Sequence, residues 1–261
     1  MSHILSALHI NLLGNLLFKK LSILHLLLMR VKYAIISVVF LMLYAFVHIG
    51  FYSTYFKHFP NFEPFKLMHH IHGGIMSGWL FLLIAQPLFL ALKKPEWHVL
   101  TGRLSYFYAP VVILSLFQVT KFSYNRWVDE VGHAQAISDQ ALSLGQIATF
   151  GTFYVLAMLF RRNLFLHVRF ICATGLLALL PAANRLMRTY TELDPAQCLF
   201  ISSMLTICTA LLFLVYDILK KKNPVPCIMI SFWYLMLFLF VEARDTDLYQ
   251  TFGSFVATHL F

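Results

Sequence analysis

Charge is scarce in this chain. Asp, Glu, Lys and Arg make up only 12% of its 261 residues, about half the ~25% of an ordinary soluble domain. With 60% hydrophobic residues and a mean hydropathy of +0.74, the shortage argues against a water-soluble globule and for an integral membrane protein. Cysteine is equally uninformative as a scaffold. Cys172, Cys198, Cys208 and Cys227 form no Cys-x-x-Cys pair and fall in or beside apolar runs. That excludes a disulfide framework or a zinc site and leaves them as small core residues. No Ser/His/Asp or paired-carboxylate arrangement is present, which argues against hydrolase chemistry. No Asp, Glu and Cys cluster lies in the apolar runs, so a metal site without haem lacks ligands. There is no internal repeat and no low-complexity segment. The net charge of +9 would suggest nucleic acid for a soluble protein, but its distribution here describes membrane topology, and no nucleic-acid partner is expected.

What the chain has in abundance is long apolar sequence. Seven runs can span a bilayer: 33–53, 69–92, 100–120, 141–160, 168–187, 196–217 and 225–243; about 20 apolar residues suffice for one crossing. Only helices and closed barrels satisfy their own backbone in lipid, so these runs predict an all-α bundle of seven transmembrane helices in residues 33–245. Residues 246–261 read as an external tail. The first 32 residues are apolar with basic residues following the apolar run, the reverse of a signal peptide. They read as an interfacial helix, or as an extension upstream of a start at Met29.

Basic residues assign the sides. Thirteen of the twenty Lys and Arg lie before the first span or in the second, fourth and sixth connections and their flanks. The positive-inside rule then makes the amino terminus cytoplasmic. Nine of the eleven acidic residues fall on the opposite side.

Against this background four histidines stand near span ends: His48, His72, His98 and His167. Ionisable groups in apolar spans are costly unless paired, ligated or facing water. His72, Met76, Trp79, Leu83 and Gln86 form one stripe of the second span. His69 sits one turn away, and His70 reads as interfacial. Gly73, Gly74, Ser77 and Gly78 give small-residue spacing that lets a neighbour approach the backbone. In the third span His98, Gly102, Ser105 and Ala109 align, and Arg103 either snorkels to the surface or pairs with an anion such as a haem propionate. In the fifth, His167, Ile171, Thr174, Ala178, Pro181 and Arg185 form a stripe about 27 Å long, with Pro181 weakening the helix. Asp217 reads most simply as an i, i+4 partner of Lys221, with a proton-relay role as the alternative.

Topology sorts the histidines into an external pair, His48 and His72, and a cytoplasmic pair, His98 and His167. Two layers of neutral imidazoles could ligate one or two b-type haems for transmembrane electron transfer, with a membrane redox partner or quinone. Arg103, Arg169 and Arg185 would neutralise propionates. Gln86 and Asp217 are further interior polar groups. Two other classes remain open: a small-solute or proton transporter built on His72, Gln86, His167, Arg185 and Asp217, and an assembly factor for a membrane complex.

The stretches HIHGGIMSGW, WHVLTGRLSY and HVRFICATGLLALLPAANR, with YDILKKK as a fourth, resemble a broad set of uncharacterised bacterial multi-pass inner-membrane proteins. The resemblance covers residues 69–222 and rests on His72, Trp79, His98, Gly102, Arg103, His167, Arg169, Pro181, Arg185 and Asp217. It implies a bacterial inner-membrane location but no established activity. The chain departs from the pattern at Asn223-Pro224, where that set continues into His-Pro. The likeness to cytochrome b561-type proteins is confined to paired histidines on neighbouring helices.

Overall fold

The computed structural model describes residues 2–63 and 65–261, with side chains at 20, 24 and from 27 onward apart from 64. Among the described residues there are helices and turns but no strands. The long helices are α1 (Ser2–Tyr52), α2 (Leu67–Ala91), α3 (Pro95–Val131), α5 (Ala141–Leu159), α8 (Pro195–Leu219) and α9 (Val225–Glu242). Shorter ones are α4 (His133–Asp139), α6 (Leu164–Leu176), α7 (Leu179–Tyr190) and α10 (Asp247–Leu260). They supply seven segments long and apolar enough to cross a membrane. The protein is therefore an all-helical, multi-pass membrane bundle. The backbone of α1 is one continuous helix, about 77 Å long at 1.5 Å per residue. Most side chains of residues 1–32, read as an interfacial helix or an upstream extension, lie outside the described residues.

The fifth span departs from a continuous helix and does most to shape the bundle. It breaks at Leu177 and Ala178, between α6 and α7. Pro181 has no N–H to offer the carbonyl of Leu177, four residues back, and its ring crowds that carbonyl. The chain passes the break with a tight turn from Ala178 N–H to the Gly175 carbonyl (3.0 Å). The two halves then choose different neighbours: α6 packs on α5 and α9, and α7 packs on α1 and α8. The α1–α7 contact is so close that a Cβ on Gly50 would lie 2.5 Å from the Ala182 carbonyl oxygen. At the break, α6 still touches α1 and α2, because a Cβ on Gly175 would meet Phe40 at 2.6 Å and Leu83 at 2.8 Å. Towards the basic end α1 and α6 line opposite walls of a wedge.

Lipid tails are as apolar as leucine, so packing and interhelical hydrogen bonds hold such a bundle together more than expulsion of water does. Trp79 illustrates both. It is 1% exposed, donates Nε1–H to Thr174 Oγ1 (3.2 Å) and meets Phe150 and Tyr154 edge-on. Tyr234 of α9 donates its hydroxyl to the Ala173 carbonyl (2.7 Å). Gly78 is small for a reason, since the Tyr108 hydroxyl occupies the space of its absent Cβ while donating to the Ile75 carbonyl. Gly73 and Gly74 have no such neighbour.

At the end opposite the basic connections, residues 246–261, read from the sequence as a tail, form a helix from Asp247 to Leu260. Helix α3 continues to Val131, and α4 follows it. Thr246 accepts from Tyr249 N–H to start α10, which folds back onto them. Tyr124, Ala136, Ile137, Ala141, Tyr249 and Ala257 form a second small core. Burial pushes the Tyr249 phenol well above its ordinary pKa, and its hydroxyl donates to the Ile137 carbonyl (3.2 Å). These segments are short, and the burial of Ile137 and Tyr249 comes from the contact between them.

Candidate functional site

A partly open cavity of about 530 Å³ lies between α1, α2, α3, the end of α5 and α6 at the basic end of the bundle. His98 and His167 both line it. His98 lies in the first turn of α3, which starts at Pro95. His167 lies in the first turn of α6, where Asn163 caps the helix by accepting from Leu166 N–H (3.2 Å). Each imidazole bonds through Nδ1 to a main-chain carbonyl near the end of an adjacent helix, His98 to Gln86 (3.2 Å) and His167 to Ala157 (2.8 Å). The Ala157 carbonyl is one of the last four of α5, which have no intrahelical donor. A carbonyl can only accept, so Nδ1 carries the hydrogen. In a neutral imidazole Nε2 is then left with a lone pair. Metal-ligating histidines are commonly prepared in this way, with the far nitrogen held by a backbone acceptor.

The rest of the lining is divided. The inner end is apolar, with Phe40, Trp79, Leu83 and Ile171. The outer part carries Arg103 and Arg161. Arg161 donates to the Tyr106 hydroxyl, whereas Arg103 makes no ion pair among the described residues. Gln86 Nε2 donates to Thr101 Oγ1 (2.6 Å). Gly102 and Ser105 complete the small stripe expected below His98, and Ser105 donates to the Gly102 carbonyl (2.6 Å).

The structure does not bring the other expected residues to this cavity. His48 donates Nδ1–H to the Tyr44 carbonyl (2.9 Å) and stacks on Phe56. His72 faces α3, where its Nδ1 lies 3.3 Å from Ser115 Oγ. Ser115 commits its own proton to the Val112 carbonyl, so it accepts from His72. These two histidines share the same tautomer but have separate neighbours.

Arg169 also lies elsewhere. Both its Nε and Nη2 donate to Asp217, Nε to Oδ2 at 2.8 Å. The Cys227 thiol donates to the same carboxylate (3.1 Å). Asp217 thus pairs with Arg169 on α6 instead of Lys221. The physical reason is burial: its side chain is 0% exposed and points into the bundle, whereas Lys221 lies beyond the end of α8. Arg185 lies at the far end, over the ring of Phe51 at 4.5 Å. His167 and Arg185 thus stand at the two ends of the fifth span, His167 in the cavity and Arg185 beside α1. Conversely, Arg161, Tyr106 and Tyr33 reach the cavity without any spacing in the sequence that marks them. Comparison with protein-family models, curated proteins and solved structures finds no match to this chain.

Proposed function

We propose that this membrane protein is a single-haem electron-transfer protein: His98 and His167 would hold a b-type haem in the cavity at its basic end, and the haem would supply a one-electron couple for a membrane redox partner or quinone. The observation that carries the reading is the preparation of both imidazoles. Two histidines from different helices line one cavity, each with Nδ1–H held by a backbone carbonyl and Nε2 left as a donor for iron. The surroundings fit the same group. A volume of about 530 Å³ lies within the 300–1,000 Å³ typical of ligand pockets. The apolar inner end suits a porphyrin, and Arg103 and Arg161 suit its propionates. Bound haem supplies a one-electron couple; the chain orients it and sets its ligands.

The reading is one haem, not two, because His48 and His72 have different neighbours and lie outside the cavity. By the positive-inside rule the amino terminus and this cavity are cytoplasmic. The resemblance noted above is what supports reading that membrane as a bacterial inner membrane. Haem analysis of the purified protein tests the stoichiometry. One haem per chain is expected; two, or none from haem-replete cells, overturns it.

One observation favours a second reading as a small-solute or proton transporter. The fifth span is discontinuous, and broken helices mark binding sites in many transporters. The break adjoins the apolar apex of the cavity, however, where Gly175 meets Phe40 and Leu83. Substrate-coupled uptake into liposomes by haem-free protein would support this reading over the first.

A further inference from the structure

The cap at the non-basic end has two unlike faces. Arg126, Asp129, Glu130 and Asp139 are exposed on α3 and α4. Helix α10 exposes Leu248 (84%), Phe252 (46%) and Phe255 (58%), spaced 4 and 3 residues apart so that they share one stripe. Thr251 and Thr258 flank the stripe, His259 continues it and stacks on Phe255, Asp247 adjoins its start, and α10 contains no Lys or Arg. The opposite side of α10, with Tyr249, Gly253, Val256 and Ala257, is buried in the cap. Among the described residues, only Phe252 of this stripe meets an aromatic ring of another helix, Phe240 of α9, and Leu248 and Phe255 stay open.

The position of α10 identifies what covers it. Its first residue follows the seventh span after one short turn, so it starts at the membrane boundary. Its far end returns to the third span, where Lys121 Nζ donates to the Leu260 carbonyl (3.2 Å) and Phe261 meets Phe117 at 5.7 Å. Both ends are tied to the spans, so this helix of about 21 Å runs along the bundle's rim. Phe252 also meets Phe240 of α9 edge-on at 6.3 Å, which joins the stripe to the side of the seventh span.

We infer that α10 is an in-plane interfacial helix whose Leu248, Phe252 and Phe255 insert into the lipid of the leaflet away from the basic end. Continuity with a spanning helix, anchorage at both ends and the wholly apolar run of Leu248, Phe252 and Phe255 favour lipid over a protein partner. Binding of this kind depends on buried apolar area, and the lack of Lys and Arg makes it indifferent to anionic lipid.

Photo-crosslinking tests this. p-Benzoylphenylalanine is placed at Phe252, Phe255 or, as a water-facing control, Asp139, in the full chain reconstituted in phosphatidylcholine vesicles. Lipid adducts at Phe252 and Phe255 several-fold above the Asp139 control, unchanged when phosphatidylglycerol is added, are the expected result. Lipid adducts at the control level, or crosslinks to a second copy of the chain, overturn the inference.

Discussion

Arg169 and Asp217 join α6 to α8 through two parallel hydrogen bonds, with the Cys227 thiol of α9 as a third contact on the carboxylate. This geometry ties α6 to α8 and α9, while α7 packs on α1 and α8. The pair is thus a structural clamp behind the cavity, and neither group is available to a ligand. Breaking a buried pair leaves an uncompensated charge, typically costing about 3–5 kcal/mol. Asp217→Asn and Arg169→Leu are expected to lower the thermal midpoint in mild detergent strongly. The double change Arg169→Leu with Asp217→Leu is expected to recover most of the loss. Equal damage from single and double variants would show that the pair itself is not the clamp.

The glycines separate into close contacts and open positions. Gly50→Ala drives a methyl into the Ala182 carbonyl, and overpacking of this kind costs about 1–3 kcal/mol. Gly73→Ala meets nothing within 4 Å and removes a flexible residue from a helix, a gain of about 0.5–1 kcal/mol. Unfolding measurements on the two variants should therefore move in opposite directions.

The wedge depends on the broken fifth span. Pro181→Ala restores a donor for the Leu177 carbonyl and allows α6 and α7 to join. The cavity should narrow, and haem content per chain should fall several-fold while the protein still extracts as a folded species. Unchanged haem content in this variant would separate the break from the site.

Tyr249 gives the cap a pH dependence. Its phenol pKa is raised by burial, so the folded cap holds the proton more tightly than the unfolded chain does. The contribution is fully present below the unfolded pKa of about 10 and is lost as pH rises above it. Hydrogen exchange of α10 should accelerate above about pH 10. Tyr249→Phe should flatten that rise while weakening the cap at neutral pH through loss of the bond to Ile137.

Much of this architecture is legible in composition alone, because lipid demands about 20 apolar residues per crossing and the runs are conspicuous. The histidines at the basic end are legible for a related reason: an ionisable group in an apolar span is costly without a use. What the sequence does not reveal is direction. His48 and His72 sit at similar depth, yet helix rotation gives one to Phe56 and the other to Ser115. Arg169 and Arg185 lie on one nominal helix, yet the break at Leu177 separates their surroundings. The cap was hidden because α4 and α10 are short, and the burial of Ile137 and Tyr249 comes from the contact between them.

Holding of one haem by His98 and His167, and not by His48 or His72, has a direct spectral signature. The most direct measurement is the dithionite-reduced minus oxidised visible spectrum of the purified protein and of four alanine variants. The account predicts a sharp b-type band in the parent, its loss in His98→Ala and His167→Ala, and its retention in His48→Ala and His72→Ala. A parent without the band when prepared from haem-replete cells, or a band that survives both His98→Ala and His167→Ala, would contradict it.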